Sequence, residues 1–283
     1  MNTSGAAIHD FTAFQRRLIL QGTLTVESGL RVGTGQSDEV SGADMAVMKD
    51  AQRRPFIPGS SFKGALRAHV ERLVRALWTG NSARGACDPL DNDRRCITAN
   101  DIEKWQGNGS ENQAWEIADK VFEQSCHVCC LFGSPWLASK VSVKDLTLSQ
   151  PEFWAERRYE VRAGVGIERD SEAAQPAVLY NSQLVSPGTT FTWEIVIENA
   201  DPATEEPLVF IGLREMMNGH IPLGGGRSRG LGRVTLAVTN ADCELVTRET
   251  LADYLATNRG QAVKWEELEA MIGGCLTTLA DGK

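Results

Sequence analysis

The stretch Ile57-Pro58-Gly59-Ser60-Ser61-Phe62-Lys63-Gly64-Ala65-Leu66-Arg67 concentrates groups that bind anions. Pro58 and Gly59 break a preceding strand, and Ser60 or Ser61 can cap the helix that follows. Leu66, Val70, Leu73, Val74 and Leu77 recur at helical spacing and predict its core face. Lys63 and Arg67, four apart, project from one side near its start. Unpaired N–H groups, the positive end of the helix dipole and two cations then converge on a spot suited to phosphate. The plain alternative is a capped amphipathic helix with solvated basic residues. Further along, Leu223 to Arg233 holds Gly224, Gly225, Gly226, Gly230 and Gly232 with Arg227, Arg229 and Arg233. Glycines let a backbone come close to a ligand, and arginines offer forked donors to phosphate. The segment lacks the GxxxxGK[ST] pattern, which argues against a nucleotide-binding P-loop.

The cysteines suggest a metal. Cys126-His127-Val128-Cys129-Cys130 contains a CxxC pair, and Cys87 and Cys96 lie upstream. Two thiolates from one tight turn grip Zn²⁺ well, and structural zinc takes four ligands. Cys87 is the third. The fourth is either Cys96 or His69, and His69 is preferred because a helix-borne ligand would tie the segment to the core. Cys243 and Cys275 are isolated and read as packing residues.

Four motifs in order resemble the RAMP superfamily of CRISPR systems, and within it the backbone subunits of type III effector complexes. The Ile57–Arg67 element and the 224–232 glycine loop are two of them. Arg162-Ala163-Gly164-Val165-Gly166-Ile167-Glu168-Arg169 resembles the start of that family's thumb hairpin. Gly29-Leu30-Arg31-Val32-Gly33 through Gly42-Ala43-Asp44 resembles its first loop, though the ending is one residue short. The resemblance implies a subunit that binds guide RNA and cleaves complementary target RNA, working beside other effector subunits, including similar backbone subunits, in antiviral defence. It implies Asp44 as the catalytic residue, with a divalent metal such as Mg²⁺ as a candidate helper; Asp38 and Glu39 are rival carboxylates in the same loop. The RNA-binding set is Ser60, Ser61, Lys63, Arg67, Arg162, Arg169, Gly224, Gly225, Gly226, Arg227, Arg229 and Gly230; as local positive charge, Arg233 is a further candidate and Arg157 and Arg158 are in support. Zinc nodules occur in parts of the family. The alternative within it is a non-catalytic scaffold that holds guide RNA.

Composition bounds these expectations. The chain has 283 residues, 42% of them hydrophobic, enough for a sizeable core. Its net charge of -8 argues against a generic nucleic-acid binder, so any RNA surface has to be local. No apolar run reaches the length of a membrane span, and Met1 to Arg17 does not read as a signal peptide. With reduced thiols this favours the cytoplasm and no membrane partner.

The elements that must position these residues follow from periodicity. Strands are expected at 18–26, 141–148, 191–197 and 233–239, and helices at 60–78 and 207–218. Together they make an α+β fold with a ferredoxin-like or RRM-type βαββαβ core over 16–240. Residues 79–140 read as a zinc-bearing insertion with one short helix at 115–124. Residues 150–187 show little periodicity and by resemblance form the thumb hairpin. Residues 243–283 read as a helical appendage with helices at 248–256 and 265–272.

Overall fold

The computed structural model describes residues 11–33, 46–79, 85–106, 113–154 and 159–282. It is a mixed α+β structure with antiparallel sheets. Strand β1 (Arg16–Val26) lies at the centre, with Leu18, Leu20, Leu24 and Val26 alternating into the core. Helix α1 (Gly59–Leu77) follows, and Phe62, Leu66, Val70 and Val74 form its buried stripe. That stripe begins one turn earlier than periodicity alone predicts, and Leu77 falls outside it. The helix also starts differently from expectation. Pro58 occupies the cap position, and the Asp145 carboxylate accepts the Gly59 N–H at 2.8 Å. Ser60 and Ser61 therefore sit exposed in the first turn and do not cap it.

Helices α2 (Ala99–Gln106), α3 (Gln113–Gln124) and α4 (His127–Phe132) make up the insertion. Strands β2 (Val141–Val143) and β3 (Thr147–Leu148) replace the single strand expected at 141–148. The chain leaves the ladder between them so that Leu146 can pair with Ile57 and Asp145 can reach the start of α1. Strands β4 (Tyr159–Ile167) and β5 (Ala174–Val185) form a separate two-stranded hairpin. Its base is fixed where Leu30 pairs with Val185.

Strand β6 (Thr190–Glu198) pairs with one edge of β1, and β2 and β3 pair with the far edge of β6. Helix α5 (Glu206–Met217) packs against α1. Strand β7 (Val234–Val238) takes the second half of the other β1 edge, and β8 (Glu244–Thr247) takes the first half. The four core strands thus run in the order β7-β1-β6-β2, with one helix after β1 and another after β6. Beyond β8 come α6 (Leu251–Thr257), β9 (Gln261–Ala262), α7 (Trp265–Ala270) and α8 (Ile272–Asp281). The C-terminal segment is therefore not purely helical. Its first strand extends the main sheet, and α7 and α8 cover α5. Among the described residues no helix is long and apolar enough to cross a membrane.

Candidate functional site

The start of α1, the strand ends near Arg31, the glycine-rich loop and β5 enclose a cleft of about 1050 Å³. Ser60, Ser61 and Gly64 form one wall, and Gly224, Gly225 and Arg227 form the other. Arg31, Gly33, Leu179 and Tyr180 close the sides. The loop is stitched to the first segment: Gly225 N–H donates to Arg31 O at 2.9 Å and Gly232 N–H to Gly29 O at 3.0 Å. Gly224, at φ +72°, is bare for a reason, because a Cβ there would lie 2.1 Å from Arg31 O. Arg227 folds back so that its Nε donates to Gly224 O at 3.0 Å. In an acidic chain this groove joins exposed hydroxyls, close backbone and arginines, a combination that suits a phosphodiester strand.

Lys63 and Arg67 are not among the residues lining this cleft. Lys63 Nζ donates to Ser139 Oγ at 2.6 Å and to Val141 O at 2.9 Å. Burial lowers its pKa, and the neighbouring Arg67 charge adds to that. Arg67 donates to Glu71 at 2.8 Å, to Gly133 O at 2.8 Å and to Cys129 Sγ at 3.5 Å. Burial works against its charge, but the hydrogen bond to Glu71 outweighs that and holds the guanidinium above its ordinary value. Two turns further along α1, Arg75 donates to Cys87 O and pairs with Glu71 at 3.3 Å. The basic side of α1 is thus spent on anchoring the insertion.

What it anchors is a four-cysteine cluster. The sulfurs of Cys87, Cys96, Cys126 and Cys129 all lie within 4.8 Å of one another. Cys87 Sγ and Cys129 Sγ are 3.5 Å apart. Tetrahedral thiolates around Zn²⁺ would stand about 3.8 Å apart, from metal–sulfur bonds of about 2.3 Å. The donor set and spacing therefore fit zinc. Backbone N–H groups of Cys87 and Cys129 both point at Cys126 Sγ, at 3.4 Å each. The thiols move in opposite directions: a hydrogen bond with Cys126 pulls Cys96 down and pushes Cys129 up.

The preference for His69 over Cys96 is corrected here. His69 Nε2 faces Glu215 Oε2 at 3.2 Å, and Arg72 donates to its Nδ1 at 2.8 Å. Because Arg72 can only donate, Nδ1 is an acceptor and Nε2 carries the proton. Burial holds the ring below its ordinary pKa. Cys130 also stands apart, its sulfur directed at Phe122 O and Ser125 O.

Arg162 and Arg229 face a smaller pocket at the hairpin root, whereas Arg169 sits exposed in the turn at its far end. Gly226 lines that smaller pocket, and Gly230 follows the short 3₁₀ turn Arg227–Arg229 at φ +78°. Asp44, Asp38, Glu39, Arg157 and Arg158 lie outside the described residues. The described flanks of the Asp44 segment, Gly33 and Val47, pair with one another, and Gly33 lines the cleft. Sequence reasoning missed Tyr180 as a wall and Asp145 as the cap of α1. Arg31 was visible within Gly29–Gly33 but carried no role.

The profile of the RAMP superfamily matches residues 23–235. Among curated proteins, the chain is 25% identical over 265 residues to one named "CRISPR system Cms endoribonuclease Csm3" from Methanocaldococcus jannaschii, covering 90% of each chain. A protein of the same name from Methanothermobacter thermautotrophicus is 25% identical over 225 residues, covering 78% of this chain and 84% of that one. Another of that name, from Mycobacterium tuberculosis, is 39% identical over 67 residues, 23% of this chain and 28% of the relative.

Proposed function

The chain belongs to the RAMP superfamily, and on that premise we propose that it is a backbone subunit of a type III CRISPR effector complex. In this reading it grips guide RNA by its phosphates and cuts the paired target RNA. The strand order β7-β1-β6-β2 with helices after β1 and β6 supports a ferredoxin-like βαββαβ core beneath this activity. The observation that carries the reading is the cleft between Ser60, Ser61, Gly224, Gly225, Arg31 and Arg227. It offers hydroxyls, close backbone and arginines to a phosphodiester backbone, and binding through phosphates would be independent of sequence. Similar subunits would stack along the same guide.

Cleavage in this reading belongs to Asp44. The RNA supplies its own nucleophile: the 2′-oxygen attacks the adjacent phosphorus and the 5′-oxygen leaves, giving a 2′,3′-cyclic phosphate and a free 5′-hydroxyl. Asp44 takes the 2′-hydroxyl proton, and a solvent water protonates the leaving 5′-oxygen. The hairpin, with Val161, Val165 and Ile167 exposed along one strand, supplies an apolar edge able to splay the linkage in line. Zn²⁺ would be held by Cys87, Cys96, Cys126 and Cys129 in a purely structural role, with all four coordination positions filled by sulfur.

Arg227→Ala is expected to weaken single-stranded RNA binding about equally for all sequences. The slope of log affinity against log salt should fall by about 0.7 for each phosphate that is no longer neutralised. Arg67→Ala is expected instead to lower the melting temperature and leave that slope near the wild-type value, because Arg67 serves the insertion. Fluorescence titrations over a range of salt would measure both. An Arg227→Ala protein with an unaltered slope would contradict the assignment of the cleft.

A further inference from the structure

The cysteine cluster is shielded unevenly. Cys87, Cys126 and Cys129 are buried, whereas Cys96 is only half-buried, so Cys96 is the member that a small oxidant in solvent can meet. The sulfurs are also close enough to bond to each other. Cys87 Sγ and Cys129 Sγ stand 3.5 Å apart, and a disulfide of about 2.05 Å needs them to close by about 1.5 Å. The cluster is tied to the start of α1 as well. Arg67 donates to Cys129 Sγ and to Gly133 O, Arg75 donates to Cys87 O, and both arginines pair with the buried Glu71. One turn nearer the start of the helix, Lys63 holds Ser139, where the insertion rejoins the sheet. The same first turns carry Ser60 and Ser61 into the cleft.

We infer that the four cysteines form a peroxide-sensitive switch, in which oxidation replaces zinc by two disulfides and disturbs the start of α1. The Cys96 thiolate attacks one oxygen of hydrogen peroxide, the O–O bond breaks, and the other oxygen leaves as water. A neighbouring cluster sulfur then attacks the Cys96 sulfenic sulfur and expels its hydroxyl as a second water, which closes a disulfide. With Cys87 and Cys129 as the closest pair, Cys126 is the partner left for Cys96. A second peroxide oxidises Cys87 and Cys129 in the same way. The balance is four thiolates, two peroxides and four protons giving two disulfides and four waters. Zn²⁺ leaves as the aqueous ion, because thiolates and not disulfides are its ligands. The structure gives this loss a consequence. The small core of Ile97, Ile102 and Val121 is too slight to hold the insertion alone. Movement of the cysteine turns then pulls on Arg67 and Arg75, and through them on the helix that forms one wall of the cleft.

The switch rests on the RNA reading only for its effect on binding, and its chemistry is tested apart from that. Reduced, zinc-loaded full-length protein is titrated with hydrogen peroxide. A colorimetric chelator reports released zinc, a thiol reagent counts cysteines after denaturation, and mass spectrometry maps cross-links. About one zinc per chain should be released as four of the seven cysteine thiols disappear, with Cys87 joined to Cys129. Dithiothreitol and added zinc should restore both. Dimedone, which traps sulfenic acids, should label Cys96 first at limiting peroxide. Cys243→Ser/Cys275→Ser protein should release as much zinc, because neither residue belongs to the cluster. Where the reduced protein binds single-stranded RNA, the oxidised form should bind it more weakly by about fivefold or more. A reduced protein that does not bind RNA fails the main reading, while the zinc and thiol measurements still decide the switch chemistry. Four results overturn the proposal: reduced protein that takes up no zinc, zinc kept at peroxide levels that fully oxidise free cysteine, sulfinic or sulfonic acids in place of disulfides, or zinc release with RNA affinity unchanged.

Discussion

Cys96→Ser protein is expected to lose its metal and much of its stability, while His69→Ala keeps about one zinc per chain. The difference follows from where the two side chains lie. Cys96 belongs to the group of four sulfurs, and His69 is committed to Glu215 and Arg72. Structural zinc can contribute about 10–16 kcal/mol of apparent binding energy, comparable to the whole stability of a domain. The loss would not be confined to a peripheral nodule. Val128, Cys129 and Leu131 of α4 are buried in the main core, and Arg67 and Arg75 connect the cysteine turns to α1. A second, smaller core of Ile97, Ile102 and Val121 is too slight to hold the insertion by itself. A fall in melting temperature of about 10 °C or more is expected, at about 2–4 °C per kcal/mol for a chain of this size. Limited proteolysis should then cut within 85–139 first. Elemental analysis showing full zinc in Cys96→Ser and none in His69→Ala would reverse the ligand assignment.

Asp44→Ala is expected to slow target cleavage by about 10²–10⁴-fold, the usual worth of a positioned general base, and to leave RNA affinity within about twofold. The separation follows from the division of labour proposed above. Phosphate grip comes from Arg31, Arg227 and the glycine loop, and the carboxylate acts only as the 2′-oxygen attacks. An interaction made only in the transition state lowers the rate constant without weakening ground-state binding. Single-turnover cleavage of end-labelled target by the assembled complex measures this, and Asp38→Ala should be much milder. Cleavage at wild-type rates and positions by Asp44→Ala complexes would favour the scaffold role.

Much of the core was legible because burial is one-sided there. Leu18, Leu20 and Leu24 alternate along β1, and the α1 stripe repeats at three and four. The hairpin was illegible to periodicity because β4 has solvent on both faces: Val161, Arg162 and Ala163 are all exposed, so no burial pattern selects their order. Only the likeness of Arg162–Arg169 to a known motif announced it. Strand β8 is four residues long and is recruited by the open half of the β1 edge, a tertiary effect no local pattern records. For Lys63 and Arg67, spacing gave the shared face of the helix but not what that face meets. Glu71 and Arg75 continue the same four-residue ladder, a sign of an internal ion-pair network that could have been read. The choice between Cys96 and His69 needed distances. A cysteine nine residues beyond Cys87 returns to the cluster through a turn held by Asp88, Asp91 and Arg94.

The central claim is that the cleft between the start of α1 and the glycine-rich loop holds RNA. Photocrosslinking tests it most directly. A photoreactive residue placed at Ser61, exposed in the cleft, is compared with one at Leu255, exposed on α6 away from it. If the cleft holds RNA, single-stranded RNA crosslinks efficiently at position 61, in a salt-sensitive way that does not depend on base sequence, and little at position 255. Equal crosslinking at both, or crosslinking at 255 alone, would contradict the claim.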